Sequence, residues 1–141
     1  MFRPDFKDFS RLARASTLVP VMKSVTADLL TPVSAFLAIA ARAPQAFLLE
    51  SVERGERIGR YTFLGVHPYM RVRARGQEIE IRRGKRTERR QGNCLHVVNQ
   101  LLGQHRPAGL EGLPPFSGGA VGYFGYDAVR QLEKNWRTCA R

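Results

Sequence analysis

The sequence predicts an α+β domain in which helices pack on an antiparallel β-sheet. Two observations carry this prediction. Short segments that alternate apolar and polar residues at hairpin spacing outnumber the helical segments, and the helical segments place their apolar residues three and four positions apart. The 141 residues, 43% hydrophobic and 25% charged, suffice for one compact domain with its own core but not for two ordinary ones.

Two helices are predicted in the first third of the chain. Asp5 to Ala15 has the apolar spacing of a short amphipathic helix. Thr31 and Pro32 begin a second helix, because Thr caps free amide groups and Pro at the first helical position loses an amide that has no partner. This helix is expected to end near Arg42. Its predicted apolar face consists of Val33, Phe36, Leu37 and Ala40.

Extended segments are predicted on both sides of the second helix. Leu18 to Ser24 contains a proline and is expected to be an edge strand or a strand start. Ala46 to Val52 is apolar and then polar, which predicts a buried strand that emerges at Glu50 and Ser51. After a charged loop, Arg60 to Val66 is expected to form the next strand.

A hairpin is the clearest β prediction. Met70 to Arg75 and Glu78 to Arg82 each alternate apolar and charged residues, and a Gly-Gln turn separates them. One face of this hairpin is therefore expected to be buried and the other to be solvated.

The last third of the chain is predicted to hold two more helices. Asn93 can cap the first, which ends at Gly103 or shortly after it. Its expected apolar side chains are Leu95, Val98, Leu101 and Leu102. After a long proline-bearing connection, glycine and aromatic residues alternate from 118 to 126, which predicts a strand that another backbone approaches closely. Asp127 is expected to cap a final helix through Leu132.

The net charge of +11 is concentrated in one segment. Residues 71–90 contain nine basic and three acidic residues and so contribute +6. Such a segment could bind nucleic-acid phosphates, but it lacks aromatic residues for base stacking. Glu78 and Glu80 are also predicted to lie opposite Arg75 and Arg73 across the hairpin. We therefore favour a solvated hairpin face, and nucleic acid is not the expected partner.

Other functional classes lack their signatures. No apolar run reaches the length of a membrane span, and acidic Asp5 and Asp8 do not suit a signal peptide. Cys94, Cys139 and the three histidines do not stand at metal-ligand spacings, and the glycines fit neither a Walker loop nor a dinucleotide-binding turn. The histidines are His67, His96 and His105. We expect a cytoplasmic protein without a metal or cofactor of its own.

Two longer motifs are more specific. They are FLLESVERGERIGRYTFLG at residues 47–65 and LPPFSGGAVGYFGYD at residues 113–127. Together they resemble the amino-terminal domain of anthranilate synthase component I, and the resemblance extends from about Phe9 to Lys134. Members of this family convert chorismate and ammonia, or glutamine through an amidotransferase partner, to anthranilate for tryptophan biosynthesis.

The resemblance implies a division of labour. In the family, magnesium and chorismate are bound by a carboxy-terminal catalytic domain of several hundred residues, which is expected to be absent from this chain. Residues 1–134 would then be a regulatory domain with no activity alone, and the lyase activity would belong to the full-length protein. In the family, the LLES and GRYTF segments line the feedback site for tryptophan. Here they supply Leu49, Glu50, Ser51, Arg60, Tyr61, Thr62 and Phe63.

The residue types suit this effector. Glu50 could balance the ammonium group of an amino acid, and the Ser51 hydroxyl could bond either polar end. Leu49 and Phe63 could provide an apolar slot for the ring. Leu48 is expected to serve the core instead. The glycine-aromatic run at 118–127 is expected to serve the core and the contact between domains.

Three points stay open at the sequence level. Residues 135–141 do not match the family, and either a frameshift near codon 134 or a stand-alone domain would explain them. Aminodeoxychorismate synthase component I has a related domain in which bound tryptophan has a structural role. The residues of the two motifs favour anthranilate synthase. A small basic nucleic-acid-binding module is the alternative from a different class.

Overall fold

The computed structural model describes residues 2–50 and 61–132. Its helices are α1 (Phe6–Leu12), α2 (Pro32–Ala40), α3 (Cys94–Gly103) and α4 (Val129–Leu132), the last of which continues a 3-10 turn at Tyr126–Ala128. Its strands are β1 (Phe2–Arg3), β2 (Met22–Lys23), β3 (Ala46–Glu50), β4 (Thr62–Val66), β5 (Arg71–Arg75), β6 (Glu78–Arg83) and β7 (Arg86–Gln91). The α+β class is confirmed.

The strands are antiparallel, as predicted, but the described ones do not form one sheet. They pair as β1 with β2, β3 with β4, and β5 with β6 and β7. We call β5–β7 with α3 the closed sheet, and β3–β4 with α2 the open ribbon.

The predicted helix starts at Thr31 and Asn93 are confirmed by their hydrogen bonds. Thr31 and Ser34 form a reciprocal capping box at the start of α2. Asn93 Oδ1 accepts hydrogen bonds from the amides of Leu95 and His96 at the start of α3. Each side chain satisfies amide groups that have no partner inside the helix.

The predicted apolar face of α2 is half wrong. Phe36 and Ala40 are partly buried, whereas Val33 and Leu37 are exposed, Leu37 by 63%. The helix is apolar on nearly every side, so its periodicity does not select a face. Contacts of α2 with β3 and β4 select one instead.

The core of the described structure lies in the closed sheet. Ile79 and Ile81 of the predicted hairpin are each 1% exposed, and Val97 and Leu101 of α3 pack on them. On α3, the predicted burial of Leu101 is confirmed, but Val97 takes the place expected for Leu102, which is exposed.

Strand β7 was not predicted, because its sequence RTERRQ carries no apolar residue to give an alternation. It forms because β6 offers a free edge, and all six of its residues are in register with that strand.

The strand predicted at 118–126 is wrong. Residues 118–125 are irregular, and Tyr123 and Tyr126 are 94% and 95% exposed. A strand needs a neighbour that accepts its backbone hydrogen bonds, and no described strand pairs with this segment. The 3-10 turn at Tyr126–Ala128, which leads into α4, has Gly125 as its N-cap residue and includes Asp127.

Full burial is confined to a few side chains of the described residues. The five buried hydrophobic residues of the described chain are Ile79, Ile81, Val97, Leu101 and Ala108. The open ribbon supplies none of them.

Candidate functional site

The pairing of β3 with β4 brings the two halves of the first motif together. Leu49 is the register partner of Phe63, and Glu50 is the partner of Thr62. Directly opposed residues of an antiparallel pair have their Cβ atoms about 5 Å apart. The LLE and YTF segments are therefore neighbours at one end of the open ribbon, as the prediction of two adjoining walls requires.

Alternation along the strands separates the predicted site residues by face. Leu49 and Phe63 lie on one face of the ribbon, and Glu50 and Thr62 lie on the other. Tyr61 belongs to the first face, where its ring stacks on that of Phe63 with centroids 6.0 Å apart. The end of the ribbon thus has an aromatic face and a polar face. Ser51 and Arg60 of the predicted site lie outside the described residues.

A cavity of about 380 Å³ lies on the aromatic face. Its lining is predominantly apolar and comes from four stretches of the chain: Pro20, Val21, Met22, Phe47, Phe63, Leu64, Leu113, Pro114, Phe116, Ser117 and Gly118. It is a depression that opens broadly to solvent and not an enclosed cavity. Among the described site residues predicted from the sequence, Phe63 lines the cavity, whereas Leu49, Glu50, Tyr61 and Thr62 do not.

Phe116 is a cavity residue that the sequence interpretation did not single out. Its ring meets that of Phe63 edge to face, with centroids 5.5 Å apart at 85°, a geometry that aromatic pairs favour. A Cβ added at Gly119, where φ is 145°, would lie 3.2 Å from this ring. The only sequence signal for Phe116 was its place in the LPPF motif, directly after two prolines.

Gly65 determines how the opposite wall of the cavity is built. The ring of Phe47 lies across β4 at this position, and a Cβ on Gly65 would stand 2.5 Å from a ring carbon. The absence of a side chain at Gly65 therefore lets Phe47 line the cavity.

Chemically, this arrangement suits the binding of a planar apolar group. The rings of Phe47, Phe63 and Phe116 offer faces and edges, and Ser117 contributes a hydroxyl. Among residues 2–50 and 61–132, no three His, Cys, Asp or Glu side chains lie together in a way that could hold a metal ion. No helix in the same residues is long and apolar enough to cross a membrane.

Comparison with known proteins finds extended similarity, although no family model matches the chain. Anthranilate synthase component 1 of Synechocystis is 44% identical over 134 residues, which are 94% of this chain and 26% of the relative. The Acetivibrio thermocellus protein of the same name is 37% identical over 94% of this chain and 27% of its own length.

The Pseudomonas aeruginosa anthranilate synthase component 1 is 38% identical over 136 residues, again 94% of this chain and 27% of the relative. The chain thus spans about a quarter of the length of these relatives. The resemblance predicted from the two motifs is confirmed: over nearly its whole length, the chain is similar to the amino-terminal part of anthranilate synthase component 1.

Proposed function

We propose that this chain is the regulatory amino-terminal domain of an anthranilate synthase, with tryptophan as its effector at the end of the open ribbon. The observation that carries the proposal is the register of β3 and β4, which pairs Leu49 with Phe63 and Glu50 with Thr62. An amino acid with a large ring needs an apolar surface for the ring, which the face with Leu49 and Phe63 supplies, and polar groups near it for the charged ends.

The proposed pose follows from the faces. The indole ring packs against Phe63 and reaches toward the cavity edged by Phe116. The polar head lies at the end of the ribbon, and because Glu50 lies on the opposite face from Phe63, its exposed carboxylate can meet the ammonium group only around the strand end. Ser51 and Arg60, which flank this end in the sequence, are proposed to bond the head group.

The proposed partners lie beyond the aligned quarter. The relatives are about four times as long as the aligned region, and we propose that chorismate and magnesium bind in that remaining part. A glutamine amidotransferase subunit would supply ammonia. The exposed rings of Tyr123, Phe124 and Tyr126 support a role for their segment in contact with the catalytic domain.

The 141 residues alone are expected not to make anthranilate. The test is incubation with chorismate, ammonium and magnesium, followed by anthranilate fluorescence. Turnover above that of a heat-inactivated sample would contradict the proposed division between regulation and catalysis.

The effector site is tested in a chimera in which residues 1–134 replace the aligned region of the Synechocystis relative. Ser51→Ala is expected to weaken tryptophan inhibition roughly tenfold or more, because a hydrogen bond to a charged group contributes about 1.5–3 kcal/mol. Chorismate turnover should stay near its original rate, since effector and active sites are distinct and coupled. Ser24→Ala, at an exposed position on another segment, is the matched control.

Three outcomes of this experiment are decisive. Unchanged inhibition in Ser51→Ala would contradict the site assignment. Loss of turnover together with inhibition would mean that Ser51 serves the fold. Tryptophan binding without any inhibition in the parent chimera would instead match the structural role expected for aminodeoxychorismate synthase, although the relatives named above favour anthranilate synthase.

The isolated chain is expected to bind tryptophan weakly, because the proposed site is completed by the catalytic domain. A millimolar dissociation constant corresponds to about −4 kcal/mol. Isothermal titration calorimetry measures it directly, and micromolar binding would show that the site is already complete in this chain.

A further inference from the structure

The charges on the solvent face of the closed sheet are unevenly paired. Because Ile79 and Ile81 face the core, the residues that alternate with them face solvent. The register divides these residues into three cross-strand rows: Arg75–Glu78–Gln91, Arg73–Glu80–Arg89 and Arg71–Arg82–Thr87. The first two rows each contain a carboxylate. The third row contains two arginines and no carboxylate.

The turn that follows this third row adds more positive charge. Arg83, Lys85 and Arg86 flank Gly84 at the β6–β7 turn, where φ of Gly84 is 56°. Arg82 Nε donates a hydrogen bond of 3.1 Å to the Gly84 carbonyl oxygen, which ties the third row to the turn. Arg83 and Arg86 are register partners and alternate onto the opposite face from Arg82, so we call Arg71, Arg82 and Lys85 the basic corner.

The carboxylate that follows the β6–β7 turn is already engaged. Glu88 accepts a hydrogen bond from Arg90 Nε and lies 3.5 Å from Arg83 Nη1. Among the residues that the structure describes, no carboxylate lies within 4.0 Å of a side-chain nitrogen of Arg71, Arg82, Lys85 or Arg86. Arg71 and Arg82 are directly opposed across the strands, and like charges in this position destabilise a sheet.

We propose that the basic corner is a docking site for an acidic segment of a partner protein. Charge complementarity carries the proposal: carboxylates placed between Arg71 and Arg82 relieve their repulsion and form paired hydrogen bonds with the guanidinium groups. This site is distinct from the effector site, since it lies on a different sheet.

The same rows favour a protein over a nucleic acid. A phosphate chain that crossed this face would meet Glu78 and Glu80 in the neighbouring rows. Residues 71–91 also contain no aromatic side chain on which bases could stack. A short acidic segment can contact the corner alone and avoid both carboxylates.

Two double variants of equal charge separate a local site from a general effect of the +11 charge. Arg71→Gln with Arg82→Gln removes two cations from the corner, whereas Arg73→Gln with Arg75→Gln removes two from the rows that contain glutamates. The probe is a fluorescein-labelled peptide of eight glutamates. Its binding to the whole chain is measured by fluorescence anisotropy at 50 mM and 200 mM salt.

The corner variant is expected to bind the peptide about tenfold more weakly, and the control variant less than threefold more weakly. Binding of the parent chain should fall with salt, because exposed charges are screened. All four substitutions leave the core untouched, and the melting curve of each variant checks that it is folded. Arg82→Gln with Lys85→Gln provides a second corner variant if the first does not fold.

Several results would overturn the proposal. Equal losses in the corner and control variants would show that net charge alone attracts the peptide. No binding by the parent chain at 50 mM salt would mean that the corner does not hold acidic segments. Tighter binding of a 20-base-pair DNA duplex, lost selectively in the corner variant, would assign the corner to nucleic acid.

Discussion

The closed sheet and the open ribbon are built from similar parts but differ in burial. Each combines antiparallel strands with one capped helix, yet the closed sheet holds Ile79, Ile81, Val97 and Leu101 in a core, whereas α2 of the open ribbon buries no residue. The difference is one of partners. The closed sheet covers its apolar face with its own helix, and the ribbon leaves the apolar side chains of Val33, Leu37 and Ile39 on α2 exposed.

This contrast gives the two regions different roles in our account. Stability of the isolated chain resides in the closed sheet, because burial of apolar surface is the main stabilising contribution. Binding is assigned to the open ribbon, whose aromatic side chains and cavity remain available. Variants that change one region at a time test this assignment.

The largest expected effect on the free energy of unfolding comes from a comparison of the same leucine-to-alanine substitution in α3 and in α2. Leu101→Ala removes a side chain that is 4% exposed, and it should lower the free energy of unfolding by about 2–5 kcal/mol. Leu37→Ala removes one that is 63% exposed and should cost less than about 1 kcal/mol. Urea denaturation followed by circular dichroism measures both. Equal losses would contradict the assignment of stability to the closed sheet.

A smaller effect is expected from adding one methyl group beside the cavity. Gly65→Ala places a Cβ against the Phe47 ring, and the displaced ring should cost about 1–3 kcal/mol. Gly103→Ala is the control, because nothing lies within 4 Å of its added Cβ. The same denaturation measurement applies. If Phe47→Leu did not restore stability to Gly65→Ala, the ring would not be the obstacle.

The smallest expected effect is a pH dependence within the closed sheet. The hydrogen bond from Arg90 is the main reason that the pKa of Glu88 lies below its ordinary value, and the nearby charges of Arg90 and Arg83 act in the same direction. A carboxylate with a lowered pKa stabilises the fold above its unfolded pKa, and this contribution is lost as pH falls through its folded pKa. The pH range in which Glu88 loses this stabilising contribution therefore lies below about pH 4.5.

Thermal melts of the parent chain and Glu88→Gln between pH 6 and pH 3 measure this contribution. The difference between the two proteins should be largest at pH 6 and shrink on acidification. A difference that grew toward pH 3 would mean that the charged form of Glu88 does not stabilise the sheet.

The features that could be predicted from the sequence depend on neighbouring residues. The caps at Thr31 and Asn93 need side chains within three positions, and the β5–β6 register follows from alternation on both sides of a two-residue turn. Such local interactions leave a pattern in the sequence.

The features that could not be predicted depend on distant partners. Strand β7 is defined by the free edge of β6 rather than by its own residues, and the buried side of α2 is selected by β3 and β4. For the candidate site, the sequence predicted the segments around Leu49 and Phe63. It did not reveal that Glu50 lies on the opposite face or that Phe116 meets Phe63 from the connection after α3.

Native-state hydrogen exchange of the isolated chain tests the central claim most directly. Amides of the central strand β6, at Ile79 and Ile81, are expected to exchange with an opening free energy close to that of global unfolding. Amides of β3 and β4, at Leu48 and Phe63, should exchange through local opening at a free energy lower by about 2 kcal/mol or more. Equal protection of the two sets would contradict the account, because the ribbon would then be as stable without a partner as the closed sheet.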